Sequence, residues 1–367
     1  MRRLPIPQVH LRQSELIIQR VCLGPGTPFD KKPTRHIMCK RLIDPFNRTI
    51  SYLRMSITDR CNLNCFYCRP DNNFKRLSHD DILTYDELFR LATIAASLGV
   101  EKVRLTGGEP LVRKGIVDFI PRITSIAGLK DVSLTTNGVF LKDNLEKLYA
   151  GGIRRLNISL DTLRRDRFAK ITGGDHFDHV WKTIERATEM NFNPIKINMV
   201  VIKGVNDDEV LDMAALSLSH AYHIRFIEYM PLGAKSGRAR SRTISNSEIR
   251  SQLETIGELV PVLRNPLSGP AKRYKFAGAP GEIGFISSIS NHFCKTCNRI
   301  RLTANGELRP CLLHNIQEDI KTPLRSGATD DELRSIFRRV VNMKPTEHLL
   351  VSSKKMYLSG QMHMIGG

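Results

Sequence analysis

From residue 50 onward, apolar and polar positions follow two rhythms in turn. Short β-rich runs fall at Tyr52–Ile57, Lys102–Leu105, Val132–Thr135, Arg155–Leu160, Ile195–Ile202 and His223–Ile227. The segments between them repeat their apolar residues at helical spacing. In Thr84–Leu98, the residues Leu88, Leu91, Ile94, Ala95 and Leu98 share one face, and Thr84 with Glu87 can form a capping box. Ile116–Ile126, Asn144–Tyr149, His179–Met190 and Glu209–Ser217 follow the same period. Repeated strand–helix units join parallel strands through right-handed crossovers. Six of them are two short of a closed eight-fold barrel, so an α/β fold is expected, either an open partial (βα)6 barrel or a doubly wound sheet. In both, chemistry belongs at the carboxyl ends of the strands.

The rhythm stops near residue 240. Arg238–Arg242 is a basic run and Asn265–Pro280 is rich in Gly, Pro and small residues. Residues 41–240 are therefore expected to form the barrel, and residues 241–367 a smaller, irregular domain. Residues 1–40 differ again. Their apolar positions keep no period, Gly24-Pro25-Gly26-Thr27-Pro28 breaks any helix, and eight cations against Glu15 and Asp30 give +6. The stretch reads as a poorly ordered basic tail, or an over-extended start upstream of Met38, in preference to a targeting segment.

Composition adds a constraint on partners. Across 367 residues, 56 Lys and Arg against 37 Asp and Glu leave a net charge of +19. Such an excess calls for a polyanion: nucleotide phosphates, nucleic acid or an anionic surface. No run of apolar residues is long enough for a membrane-spanning helix. The charge is not gathered in an aromatic-interleaved stripe, which weighs against a nucleic-acid-binding protein.

Six of the eight cysteines fall in two tight groups. In a chain able to build its own core, clustered cysteines point to metal or redox chemistry in a reducing, cytoplasmic compartment. The first group, Cys61, Cys65 and Cys68, is a C-x3-C-x2-C triplet following the first strand. Three thiolates are one short of a closed zinc or [4Fe–4S] site. The triplet is either a zinc knuckle completed by a distant residue such as His79, or a cluster that keeps one iron open. Its pattern, with an aromatic residue before the last cysteine, resembles the radical S-adenosylmethionine enzymes. In that family three cysteines hold a [4Fe–4S] cluster whose fourth iron is chelated by the methionine moiety, on a partial (βα)6 barrel.

Thr106-Gly107-Gly108-Glu109-Pro110 after the second strand resembles the loop that binds the methionine amino group in those enzymes. By itself the stretch is an ordinary turn, in which glycines permit close backbone approach and Glu109 offers an acceptor. Thr135-Thr136-Asn137-Gly138 and Ser159-Leu160-Asp161 end the next two strands. The second group, Cys294 and Cys297 followed by Cys311, again provides three thiolates. His292 or His314 could complete a zinc site there; the alternative is a second cluster whose open iron meets substrate. Arg299 and Arg301, two apart in a β-rich run, turn their forked donors to one side, as phosphate recognition requires.

Two such triplets, Arg-x-Arg after the second, and the terminal Gly366-Gly367 resemble the MoaA family of GTP 3′,8-cyclases of molybdenum-cofactor biosynthesis, over roughly residues 42–367. Peptide-modifying radical S-adenosylmethionine enzymes use more C-terminal cysteines and lack the Gly-Gly end. The resemblance implies two [4Fe–4S] clusters, held by Cys61, Cys65 and Cys68 and by Cys294, Cys297 and Cys311. It implies S-adenosylmethionine beside Tyr67, Gly108, Ser159 and Met230, and GTP beside Arg54, Arg104, Thr135, Lys196, Arg299, Ile300 and Arg301. The chemistry it implies is carried by the cofactors: a 5′-deoxyadenosyl radical takes hydrogen from C3′ of GTP, and the sugar carbon joins C8 of guanine. It further implies an electron donor, a downstream cyclic pyranopterin monophosphate synthase that consumes the product, and a homodimer, which nothing in the composition demonstrates. No nucleic-acid or membrane partner is expected.

Overall fold

The computed structural model describes residues 41–69, 76–230, 241–263, 269–349 and residue 362. The basic tail 1–40, with Cys22 and Cys39, and the terminal Gly366-Gly367 lie outside the described residues. From Arg41 onward the chain forms one compact unit. A two-stranded pair, β1 (Leu42–Ile43) and β2 (Thr49–Ile50), leads into the main sheet. There follow β3 (Tyr52–Ser56), α1 (Tyr85–Ser97), β4 (Lys102–Thr106), α2 (Ile116–Thr124), β5 (Asp131–Thr136) and α3 (Leu145–Ala150). Next come β6 (Leu156–Ser159), α4 (Arg165–Thr172), α5 (Phe177–Glu189), β7 (Ile195–Val201), α6 (Val210–Ser219) and β8 (His223–Glu228). Strands β3 to β8 pair in sequence order, all parallel. All six expected strands and all five expected helices are present, with ends shifted by a few residues. The capping box of α1 forms as read, Glu87 N donating to Thr84 Oγ1 at 3.2 Å and Thr84 N to Glu87 Oε2 at 2.6 Å.

Helix α4 was not expected. Its sequence, Arg165-Asp166-Arg167-Phe168-Ala169-Lys170-Ile171-Thr172, buries only Phe168, Ile171 and Thr172, so its period is faint. The last third also departs from expectation. Expected as a smaller, irregular domain, it adds strands to both edges of the barrel sheet. These are β9 (Leu259–Pro261), β10 (Lys272–Phe276) and β11 (Glu282–Ile286), after α7 (Asn246–Leu253), and then β12 (Arg299–Leu302), β13 (Glu307–Arg309) and β14 (Glu318–Asp319). β11 runs parallel to β8 and β12 parallel to β3, so eight parallel strands form the core of a twelve-stranded sheet. Helices α8 (Lys321–Arg325) and α9 (Asp330–Asn342) close the described fold. Leu333, Ile336, Phe337, Val340 and Val341 of α9 are buried, and the helix packs against α1 and β1. Ion pairs Arg90–Asp330 at 2.9 Å and Arg325–Glu87 at 2.7 Å cross the same seam.

The strands alternate apolar with polar residues, yet both faces are buried. In β4, Val103 and Leu105 pack under the helices, while Lys102, Arg104 and Thr106 face the barrel interior at 3–8% exposure. In β3, β7, β8 and β12 the same alternation places Arg54, Lys196 with Asn198, Arg225, and Arg299 with Arg301 inside. The barrel is thus apolar outside its sheet and polar within. Among the described residues no helix is long and apolar enough to cross a membrane.

Because α9 completes the barrel's own core, Phe337→Ala should destabilise the whole unit by about 3–5 kcal/mol. Trp181, the single tryptophan, sits on α5 far along the chain from Phe337. Its fluorescence midpoint in denaturant should fall together with the loss of helical circular dichroism. An unmoved Trp181 transition would mean that the last third unfolds by itself.

Candidate active site

The first cysteine loop follows β3 and is held by backbone on two sides. Gly108 N donates to Thr58 O at 2.8 Å and Glu109 N to Arg60 O at 2.8 Å. On the other side, Asn64 N donates to Thr172 O at 2.8 Å and Phe66 N to Ile171 O at 3.2 Å, so α4 is the support of this loop. A Cβ on Gly107 would stand 2.5 Å from Thr58 O, and one on Gly108 2.3 Å from Arg60 O. The glycines are needed because the two loops lie backbone to backbone.

Two buried carboxylates pin the loops to one another. Glu109 accepts from Leu111 N at 3.1 Å, Thr136 Oγ1 at 2.8 Å and Asn137 N at 2.6 Å, and burial still pushes its carboxyl up to about 7. Its acceptor capacity is thereby largely taken by the protein, which makes it a clamp between the loops after β4 and β5. Asp161 accepts from Tyr67 Oη at 2.6 Å and Val200 N at 2.8 Å, and burial raises it to about 6. At the opposite rim, Glu228 accepts from Asn246 N at 3.0 Å, Ile289 N at 2.7 Å and Ser290 N at 3.0 Å, which fixes the approach to Cys294. Beside the first triplet, Glu109 opposes the thiolate of Cys61 and Asp161 that of Cys65, while Arg69 favours the Cys61 thiolate. The second lies among cations: against the effect of burial, Arg299 and Lys344 draw the Cys297 thiol down to about 6.

Both triplets open onto a single cavity of about 290 Å³. Side chains from all eight parallel strands line it, which requires the sheet to curl around it. In register, Arg301, Arg54, Arg104 and Ser133 stand side by side on four neighbouring strands. Like charges on directly opposite positions repel. Burial, then Arg104 and Arg299, lower Arg54 to about 10 against a counter-pull from Tyr52. Burial and then Arg104 lower Arg225 to about 9, and burial with Arg54 and Arg299 takes Arg301 well below its ordinary value. The anions nearest the base of this bowl already have partners: Asp131 pairs Lys102 at 2.7 Å and Arg155 at 2.5 Å, and Glu282 pairs Arg273 at 2.5 Å. Five arginines, Arg54, Arg104, Arg225, Arg299 and Arg301, thus line the one cavity.

The structure brings fifteen of the expected residues to this cavity: the six triplet cysteines, Tyr67, Gly108, Ser159, Met230, Arg54, Arg104, Thr135, Arg299 and Arg301. Lys196 is on the interior face but one layer deeper, near Arg225 and Arg104, and does not line the cavity. Ile300 turns its side chain into the apolar core. His292 and His314 do not line the cavity, whereas His348 does, its Nε2 donating to Ser288 O at 2.7 Å. Sequence reasoning missed Tyr52 and Arg225; the alternation of His223-Ile224-Arg225 would have placed the arginine inside once the polar face was known to be interior.

Residues 55–217 match the Radical SAM superfamily, and residues 222–350 match Molybdenum Cofactor Synthesis C. The GTP 3′,8-cyclase of Heliobacterium modesticaldum is 47% identical over 330 residues, covering 89% of this chain and 100% of its own. The chain belongs to the GTP 3′,8-cyclase family. A cyclase of Geobacter sulfurreducens is 44% identical over 326 residues, 89% of this chain and 99% of its own. Among solved structures, Streptococcus suis SuiB bound to S-adenosylmethionine has a TM-score of 0.57 at 16% identity, covering 80% of this chain and 69% of its own, a likeness in fold.

The cyclase cavity fits the groups that such an enzyme uses. Its six lining cysteines are free thiols, and burial, with the neighbouring thiols adding to it, raises Cys65 and Cys294. Among the described residues no three His, Cys, Asp or Glu side chains converge on a single ion, and a cluster that spreads its irons over several sulfurs does not require it. Thr135 Oγ1, also on the cavity wall, is buried without a partner, as a ligand-facing hydroxyl would be.

Burial, then Arg225, Arg104, Lys102 and Arg155, depress Lys196 from 10.5 to about 5. The unfolded chain takes up that proton below about 10.5, whereas the fold resists it down to about 5, so stability rises with pH across this window. The slope contributed is at most about 1.4 kcal/mol per pH unit. Lys196→Met should remove it, and the variant should gain on the wild type as pH falls from 9 to 6 in denaturant titrations. Parallel stability profiles would count against this placement of Lys196.

Proposed function

We propose that the enzyme holds GTP and S-adenosylmethionine together in this one cavity, each against its own iron–sulfur cluster. Membership in the family gives it GTP as substrate and S-adenosylmethionine as cofactor. Cys61, Cys65 and Cys68 would hold the first cluster, and Cys294, Cys297 and Cys311 the second. When bound, these groups supply the one-electron chemistry that joins C3′ of the ribose to C8 of guanine. The gathering of five arginines on one cavity carries this reading.

Arg54, Arg104, Arg299 and Arg301 bind the triphosphate, whose roughly four negative charges are matched by these four guanidinium groups. Arg225, on the next face of the same interior, adds to that field. Thr135 Oγ1 offers a hydrogen bond to the substrate. Tyr67, Gly108, Ser159 and Met230 line the end nearest the first triplet and orient S-adenosylmethionine. Lys196 lies beneath the cavity as a neutral amine, in place of the direct contact expected from sequence; Ile300 contributes backbone alone. The chain's task is to orient and to exclude water, and misplacement of the reacting carbons by about 1 Å would cost roughly 100-fold in rate. An electron donor, the downstream synthase as consumer of the product, a homodimer and a cytoplasmic location complete the proposal.

Reconstituted anaerobically with reductant, S-adenosylmethionine and GTP, the protein should form 3′,8-cyclo-7,8-dihydro-GTP. Arg299→Ala and Arg301→Ala should each lower kcat/KM for GTP by about 100-fold, the loss of charge-assisted bonds to phosphate, while iron and sulfide content stays at the wild-type level. Loss of iron in either variant would make that arginine structural and overturn its assignment.

A further inference from the structure

Lys344 lies two residues beyond α9, yet it is only 4% exposed. Its Nζ donates to Arg299 O at 2.7 Å and to Pro310 O at 2.6 Å. Arg299 stands two residues after Cys297, and Pro310 directly precedes Cys311. One ammonium thus ties together the two chain segments that bring these cysteines to the site. The ammonium lies within electrostatic reach of Cys297 and Cys311.

The third cysteine is held by a second buried cation. Arg48 Nη1 donates to Cys294 O at 2.7 Å, and its Nη2 to Pro345 O at 2.6 Å, the residue after Lys344. Its Nε pairs with buried Asp44 at 2.6 Å. All three cysteine segments and the strip 344–346 are therefore lashed together by two buried cations. Beside the first triplet the buried Glu109 and Asp161 are acidic, and Arg69 is the cation whose charge reaches Cys61.

A buried lysine whose partners are two neutral carbonyls is an expensive way to join two strands, because desolvating the ammonium costs several kcal/mol. Thiolates on an anionic cluster a short distance away would offset that penalty. We propose that Lys344 is the positioning and charge-balancing residue of the second iron–sulfur site, with Arg48 as its companion. The proposal rests on the reading that Cys294, Cys297 and Cys311 hold a cluster.

The test uses the full chain with Cys61, Cys65 and Cys68 all changed to alanine, so that the second site is read by itself. After anaerobic reconstitution this parent should contain about four irons per chain. A parent without iron would remove the underlying reading, not the role of Lys344 within it. Adding Lys344→Met should lower iron at least twofold, or leave it in place with the midpoint potential shifted negative, because a lost cation disfavours the added electron. Lys344→Arg should recover part of the effect. Unchanged iron and potential in Lys344→Met would overturn the proposal. In the chain with all six cysteines, Lys344→Met should keep the first cluster, and loss of both clusters together would overturn the proposal by making Lys344 a general folding residue.

Discussion

The structure depends on confining several guanidinium groups of like charge inside one curled sheet. Arg54, Arg104 and Arg301 occupy one rung, Arg225 and Arg299 line the same cavity, and nearby Asp131 and Glu282 pair with Lys102, Arg155 and Arg273. In the absence of a ligand this arrangement opposes folding, through desolvation and mutual repulsion. The apolar outer face of every core strand, packed beneath the helices, supplies the stability that tolerates it. Electrostatic strain of this kind is what a site built for a polyanion holds in reserve, since the substrate brings the missing countercharge.

The rim works differently from the interior. Glu109, Asp161 and Glu228 act as clamps: each collects donors from loops that are distant in sequence and holds them against one another. Helix α4 serves the same purpose through its carbonyls. Rigid placement matters because both triplets must face one cavity, and a loop displaced by an ångström would separate the two reacting carbons. The two ends of the cavity are also electrostatically distinct, with Glu109, Asp161 and Arg69 around Cys61–Cys68 and only cations drawing on Cys297. Charge near a cluster tunes its potential, so this asymmetry bears on how each end handles an electron.

Much of the fold was legible in the sequence. The capping box at Thr84 and Glu87, the strand–helix rhythm and both triplets each depend on neighbours within a few residues, and local spacing suffices to read them. The face shared by Arg299 and Arg301, and that shared by Lys196 and Asn198, followed from the two-residue period of a strand. Other features were hidden for identifiable reasons. Helix α4 buries only three of its eight residues, and its value lies in the backbone acceptors it offers to the cysteine loop. Glu109 was expected beside an ammonium, and its bonds to Thr136 and Asn137 depend on two strands being adjacent. Lys196 shares its face with Asn198, but depth along the barrel axis separates them, and periodicity carries no depth.

By itself the amino-acid sequence determined most element types, the parallel arrangement and the grouping of the cysteines into two triplets, because these rest on residue chemistry and short-range period. Only the tertiary structure decided which way the polar faces of the strands turn. An alternating strand such as Lys-Val-Arg-Leu-Thr is compatible with water on its charged side, and curling of the sheet puts that side indoors. The same closure joins β11 and β12 to opposite edges of the barrel and sets Lys344 and Arg48 behind a cysteine triplet. Pairings over hundreds of residues are fixed by how the whole sheet closes, and no local spacing encodes them.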